Sequence, residues 1–161
     1  MHGSPLRAPD CETRSLGGVR GDATGSGGSV MATESFEVSA FLPAPPWRVY
    51  EAWLDGTEHG AFTGGPATSE PAVGGAFTAW DGYIQGKNLA LEPYCRILQS
   101  WRTTEFPPRS PDSRLEVLLD AQEGGTHLTL RHSEIPEGQG ESYKQGWLEF
   151  YFEPMQQYFA T

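Results

Sequence analysis

The chain has 161 residues, room for one domain with a substantial core and too little for two of ordinary size. Its formal net charge is −10, and an acidic surface repels phosphate backbones, which excludes nucleic acid as a partner class. No apolar run approaches bilayer-spanning length, and the first residues lack the apolar centre of a secretory signal, so no membrane insertion and a cytoplasmic location are expected.

Residues 1–32 are rich in Gly, Ser, Pro and Arg and show no apolar period, so they are expected to form a disordered tail. A true start at Met31 stays open as an alternative. The segment up to Met31 holds three basic and three acidic residues, so the whole negative charge falls on the rest, the single domain expected over 33–161. Cys11 lies in the tail and Cys95 on a predicted strand. Neither supports a disulfide framework, and Cys95 is expected to be an inert core thiol in a reducing compartment.

From Ser35 the pattern changes. Phe36, Val38, Ala40 and Leu42 recur with a period of two, predicting a strand. Pro45-Pro46 pre-set a helix carrying Trp47, Tyr50 and Leu54, which Asp55-Gly56 breaks before a second helical turn over 57–62. Strands follow over 67–70, 75–80, 83–91, 95–105, 115–119 and 126–133. Asp81-Gly82 gives a two-residue hairpin signal, and 106–111 is a proline-rich loop. Residues 141–159 read as a helix whose broad apolar face includes Tyr143, Trp147, Phe150 and Tyr151, with a bend at Pro154.

The order implies an α+β fold: a curved antiparallel sheet of about six or seven strands wrapped around a long C-terminal helix, with one or two short helices after the first strand. Such a wrap leaves a cavity between sheet and helix. Trp53, Phe62, Trp80, Tyr83, Trp101, Phe106, Trp147 and Tyr151 come from the elements around it, and rings with a few polar tips suit an apolar ligand. Trp147 and Tyr151, one turn apart, are expected to face the cavity together. His132, in phase with Leu128 and Leu130, is expected either as a hydrogen-bonded core histidine or as a polar anchor in the pocket, with Glu134 near enough to share the site. His127 and His132 point to opposite faces, so no metal site is expected. The Gly74-Gly75 and Gly124-Gly125 pairs are turn glycines without a phosphate-loop pattern. No cofactor and no catalytic constellation are expected.

Several landmarks together carry a family resemblance. They are Lys144-Gln145-Gly146-Trp147 with Tyr151-Phe152-Glu153, Pro66-Ala67-Thr68 with Glu70, Gly74-Gly75-Ala76-Phe77, Asp81-Gly82 with Gly86, and Ile135-Pro136. The stretch 35–160 resembles the activator of heat-shock-protein-90 ATPase family, in its C-terminal-domain-like part, which belongs to the START-like (SRPBCC) helix-grip superfamily. The eukaryotic co-chaperones of that family carry a separate N-terminal domain that makes most of the chaperone contact, and here only the short tail stands there. The expected function is therefore a non-enzymatic module binding a small hydrophobic ligand or a protein partner. Co-chaperone stimulation of the heat-shock-protein-90 ATPase is the second reading. A cyclase- or aromatase-type enzyme is the third, with His132, Glu134 and Tyr83 as its acid–base candidates. A monomer or weak dimer is expected.

Overall fold

The computed structural model describes residues 32–160. Cys11 and nearly all of the segment expected to be disordered lie outside them. Seven strands, β1 (Thr33–Leu42), β2 (Thr68–Ser69), β3 (Ala76–Ala79), β4 (Ile84–Glu92), β5 (Arg96–Thr103), β6 (Ser113–Gln122) and β7 (Gly125–Pro136), form one antiparallel sheet in the spatial order β1-β7-β6-β5-β4-β3-β2. Strands β2 to β7 are the meander that short connections imply, and β1 completes the sheet against β7. Between β1 and β2 stand α1 (Pro46–Leu54) and α2 (Gly56–Thr63). Pro46 sits in the first turn of α1, where a missing N–H costs nothing. Asp55 ends α1 and caps α2, its carboxylate accepting from the Glu58 N–H at 3.1 Å.

Alternation along the strands builds the concave face. The cross-strand rows Ile97–Val117–Leu130–Val38 and Gln99–Leu115–His132–Phe36 point inward, and Ile97, Leu115, Val117, Leu130 and His132 have no solvent exposure. The C-terminal helical segment covers this face in three parts: α3 (Gly140–Gly146), a π-helical stretch (Trp147–Phe152) and α4 (Glu153–Ala160). The irregularity comes one turn before the bend expected at Pro154. That proline lacks an N–H and would press its ring on the Phe150 carbonyl in a regular helix. Instead the preceding turn widens, with the Glu153 N–H bonded to the Leu148 carbonyl five residues back. The altered phase turns Phe150 outward, 56% exposed, while Trp147, Tyr151, Phe152 and Met155 stay buried. At the other end, the Glu34 carboxylate of β1 accepts from the N–H groups of Gly138 (2.9 Å) and Gly140 (2.7 Å), fastening the start of α3 to the sheet. Those two bonds hold its carboxyl below the usual range.

Two local expectations need correction. Strands β3 and β4 last pair at Ala79 and Ile84, so their connection is the four residues 80–83 rather than a two-residue turn. Trp80, Asp81 and Gly82 all have positive φ, 52°, 58° and 89°. A bulky residue at such a φ is uncommon. Trp80 is held there by its ring, which lies so close over Gly65 that a Cβ at Gly65 would stand 2.8 Å from it. Cys95, in turn, occupies a half-buried turn between β4 and β5 rather than a strand interior. It is disulfide-bonded, not an inert thiol.

Gly86 on β4 pairs with Phe77, and a Cβ there would run into the Ser100 carbonyl and the Phe77 ring. Gly86→Ala is therefore expected to cost about 2 to 3 kcal/mol through overpacking, read as a lower urea midpoint. A wild-type midpoint would show that the sheet yields here. No helix among the described residues is long and apolar enough to cross a membrane.

Candidate ligand-binding site

Where the helical segment leaves the sheet, a partly open cavity of about 380 Å³ remains. Its sheet-side wall is Trp80, Tyr83, Ile84 and Trp101. Its helix-side wall is Ser142, Tyr143, Gly146, Trp147, Phe150 and Tyr151. The π-helical stretch supplies three of these. It sets Trp147 and Tyr151 side by side, ring centroids 4.5 Å apart, and stands Phe150 at the mouth, edge-on to Trp80 at 6.2 Å. No lysine, arginine, histidine or carboxylate belongs to the lining.

Behind each wall the polar atoms are satisfied by partners within the protein. Tyr151 is buried, and its hydroxyl meets His59 Nε2 at 2.8 Å. The other ring nitrogen, Nδ1, lies 2.9 Å from the Trp53 carbonyl, which only accepts. Nδ1 therefore carries the proton, and Tyr151 donates to Nε2. Burial raises the Tyr151 phenol well above its ordinary value and lowers His59 to about 4, so both are neutral. A second chain runs from the Trp147 indole N–H to His132 Nδ1 (3.1 Å), from His132 Nε2 to Ser113 Oγ (2.9 Å), and from Ser113 Oγ to the Trp101 carbonyl (2.7 Å). Burial lowers His132 to about 3. A third joins the Trp53 indole to Gln99 (3.4 Å) and Gln99 to Asn88 (2.8 Å), whose amide reaches the Glu70 and Ala72 carbonyls. At the rim the Tyr143 hydroxyl donates to Gln139 and accepts from Thr103, both at 2.7 Å, and burial pushes it up to about 12. Tyr83 donates to the exposed Glu105 carboxylate at 3.0 Å.

Of the residues expected around the cavity, Trp80, Tyr83, Trp101, Trp147 and Tyr151 line it. Trp53, Phe62, Phe106 and His132 do not, Phe106 packing instead against Trp101 and Tyr143. Trp53 stacks on the far side of Trp147 at 6.1 Å, and Phe62 packs against Trp53 and Tyr151. His132 lies behind Trp101 and Trp147, with both ring nitrogens occupied, as a hydrogen-bonded core histidine and not as a pocket anchor. Glu134 shares nothing with it. β7 bulges there, Glu134 takes φ 60° and is exposed, and the inward alternation resumes at Ile135. The three acid–base candidates are thus dispersed. Sequence reasoning missed His59 behind the wall and Ile84, Ser142, Tyr143, Gly146 and Phe150 in the lining. Tyr143 had a signal, lying four residues before Trp147 on the predicted apolar face. His59 had none, because α2 carries no apolar stripe. Among the described residues no group of three His, Cys, Asp or Glu is placed to hold a metal ion.

The family model described as Activator of Hsp90 ATPase homolog 1-like protein matches residues 43–160. The human Activator of 90 kDa heat shock protein ATPase homolog 1 is 34% identical over 120 residues, covering 74% of this chain and 35% of the human protein. The Dictyostelium discoideum homolog is 25% identical over 116 residues, 71% of this chain and 30% of its own. The chain thus spans about a third of the length of these curated relatives. Among solved structures, PFC0360w, an HSP90 activator from Plasmodium falciparum, superposes with a TM-score of 0.71 at 24% identity, covering 78% of this chain and 96% of that one. Protein CV1439 from Chromobacterium violaceum gives 0.65 at 24% identity, covering 79% and 97%. Both share the helix-grip arrangement of curved sheet and C-terminal helix. Since the family match runs from just after β1 to the end of α4 and takes in both walls of the cavity, this chain belongs to the Activator of Hsp90 ATPase homolog 1-like family.

Proposed function

We propose that this domain is a non-enzymatic binding module whose cavity takes a small hydrophobic ligand. The observation that carries the reading is the lining: seven aromatic rings around about 380 Å³, with few polar tips and no charged side chain. The three acid–base candidates do not converge on the cavity, which supports binding over catalysis.

Native mass spectrometry of protein purified gently from its own host tests this. A defined added mass is expected, and it should vanish in Gly146→Leu. Gly146 is helical and lines the cavity, and a Cβ there meets only Phe150 Cδ2 at 3.9 Å, so a larger side chain enters the open space. Replacing a helical glycine also favours the helix, so the variant should melt no lower than wild type. A clean apo mass from several preparations, or an adduct that survives the substitution, would count against a ligand in this cavity.

A second reading is favoured by the 34% identity with a segment of the human Hsp90 ATPase activator: stimulation of a chaperone ATPase through direct contact. Steady-state ATP turnover by Hsp90 should rise on adding this chain. An unchanged rate at saturating concentration would remove that reading.

A further inference from the structure

We propose that the cavity selects hydrophobic organic cations, an ammonium group on an apolar body, over neutral or anionic molecules of the same shape. The inference rests on the cavity being a ligand site, and four features of its walls give it the sign of charge. First, seven aromatic side chains make up most of the lining, Trp80, Trp101 and Trp147 among them, and aromatic rings attract cations through their quadrupoles. Second, no lysine, arginine or histidine stands in the lining to pair with an anion. Lys144, beside Tyr143 in sequence, is not part of it.

Third, the tyrosine protons are already committed. Tyr83 donates to Glu105, Tyr143 to Gln139 and Tyr151 to His59, so none of these hydroxyls has a proton left to donate to an anionic ligand. Fourth, the rim carries a carboxylate. Glu105 is exposed, 3.0 Å from the Tyr83 hydroxyl at the cavity wall. The nearby Arg102 does not neutralise it, since its guanidinium is spent on Asp112, on the Ser110 and Pro107 carbonyls and over the Phe106 ring. The negative charge of the domain extends the same bias outward and steers cations toward the mouth.

The test uses three small probes of matched size: phenyltrimethylammonium, its uncharged isostere tert-butylbenzene, and benzoate. Binding is followed by the indole N–H resonances of the folded protein. The expected result is roughly 3- to 30-fold tighter binding of phenyltrimethylammonium than of tert-butylbenzene, with benzoate weakest. The shifts should fall on Trp80, Trp101 and Trp147 and spare Trp47, which stands exposed on α1. Glu105→Gln should narrow the ratio between the first two probes, and an unchanged ratio would overturn the role given to the rim. Tert-butylbenzene binding as tightly as the cation would overturn the selectivity while leaving the cavity a ligand site. Silence from all three probes would overturn both.

Discussion

Replacing Trp147 by alanine is expected to destabilise the domain by about 5 kcal/mol, at the upper end of what truncating one core side chain costs. Trp147 is 3% exposed and packs between Trp53 and Trp101, with centroids at 6.1 and 5.7 Å, and against Tyr151 at 4.5 Å. Truncation removes a ring in contact with the sheet, α1 and its own helix, and the surrounding rings are too rigid to collapse into the space. It also strips His132 Nδ1 of its only donor while leaving the ring buried. For a domain of this size the melting temperature should fall by roughly 15 °C or more. Trp147→Phe separates the two contributions. It keeps most of the packing and loses the indole N–H, so a smaller loss of about 2 kcal/mol is expected. An alanine variant that melts within a few degrees of wild type would contradict the central place given to this ring.

Acid is expected to weaken the fold more steeply than carboxylates alone would explain. His59 and His132 are buried and neutral, at about 4 and about 3, against 6.5 for a free histidine. Well above pH 6.5 neither group is charged, folded or unfolded, and neither contributes to pH dependence. Below it the unfolded chain takes up two protons that the folded chain refuses, so stability falls with pH. The loss continues until each folded value is reached. At pH 5 the two together should cost about 4 kcal/mol, with a slope approaching 2.7 kcal/mol per pH unit below pH 6. Urea unfolding at pH 7.5 and pH 5.0 measures this directly. His59→Gln should remove about half of the histidine part of the slope. A midpoint that stays flat between the two pH values would mean that both rings are hydrated or charged in the folded state.

Much of the architecture could be read from residue patterns alone. The period-two run Phe36, Val38, Ala40, Leu42 became β1, Asp55 separated the two short helices, and the apolar face of 141–159 became the helical cover of the sheet. Where reading failed, the deciding interaction was tertiary or depended on an irregular backbone. Ring composition could not distinguish Trp53 and Phe62, which back the cavity wall, from Trp80 and Trp101, which form it, because all four are apolar residues on core-facing positions. The phase error at Phe150 came from the π-helical turn ahead of Pro154, and the one at Glu134 from the β7 bulge. His59 is held by a carbonyl six residues back and a tyrosine 92 residues on, a pairing that no local pattern announces.

Ligand binding by this domain requires that the rings enclose a hollow which an apolar guest can enter. A crystal pressurised with xenon tests that requirement without any assumption about the natural ligand, since xenon occupies dry apolar cavities. Xenon density is expected between Trp80, Trp101, Trp147 and Phe150, absent from a Gly146→Leu crystal treated in the same way. A wild-type crystal with no xenon there, and with Phe150 folded inward against Trp101, would show a core filled by its own side chains and would contradict a binding role for the cavity.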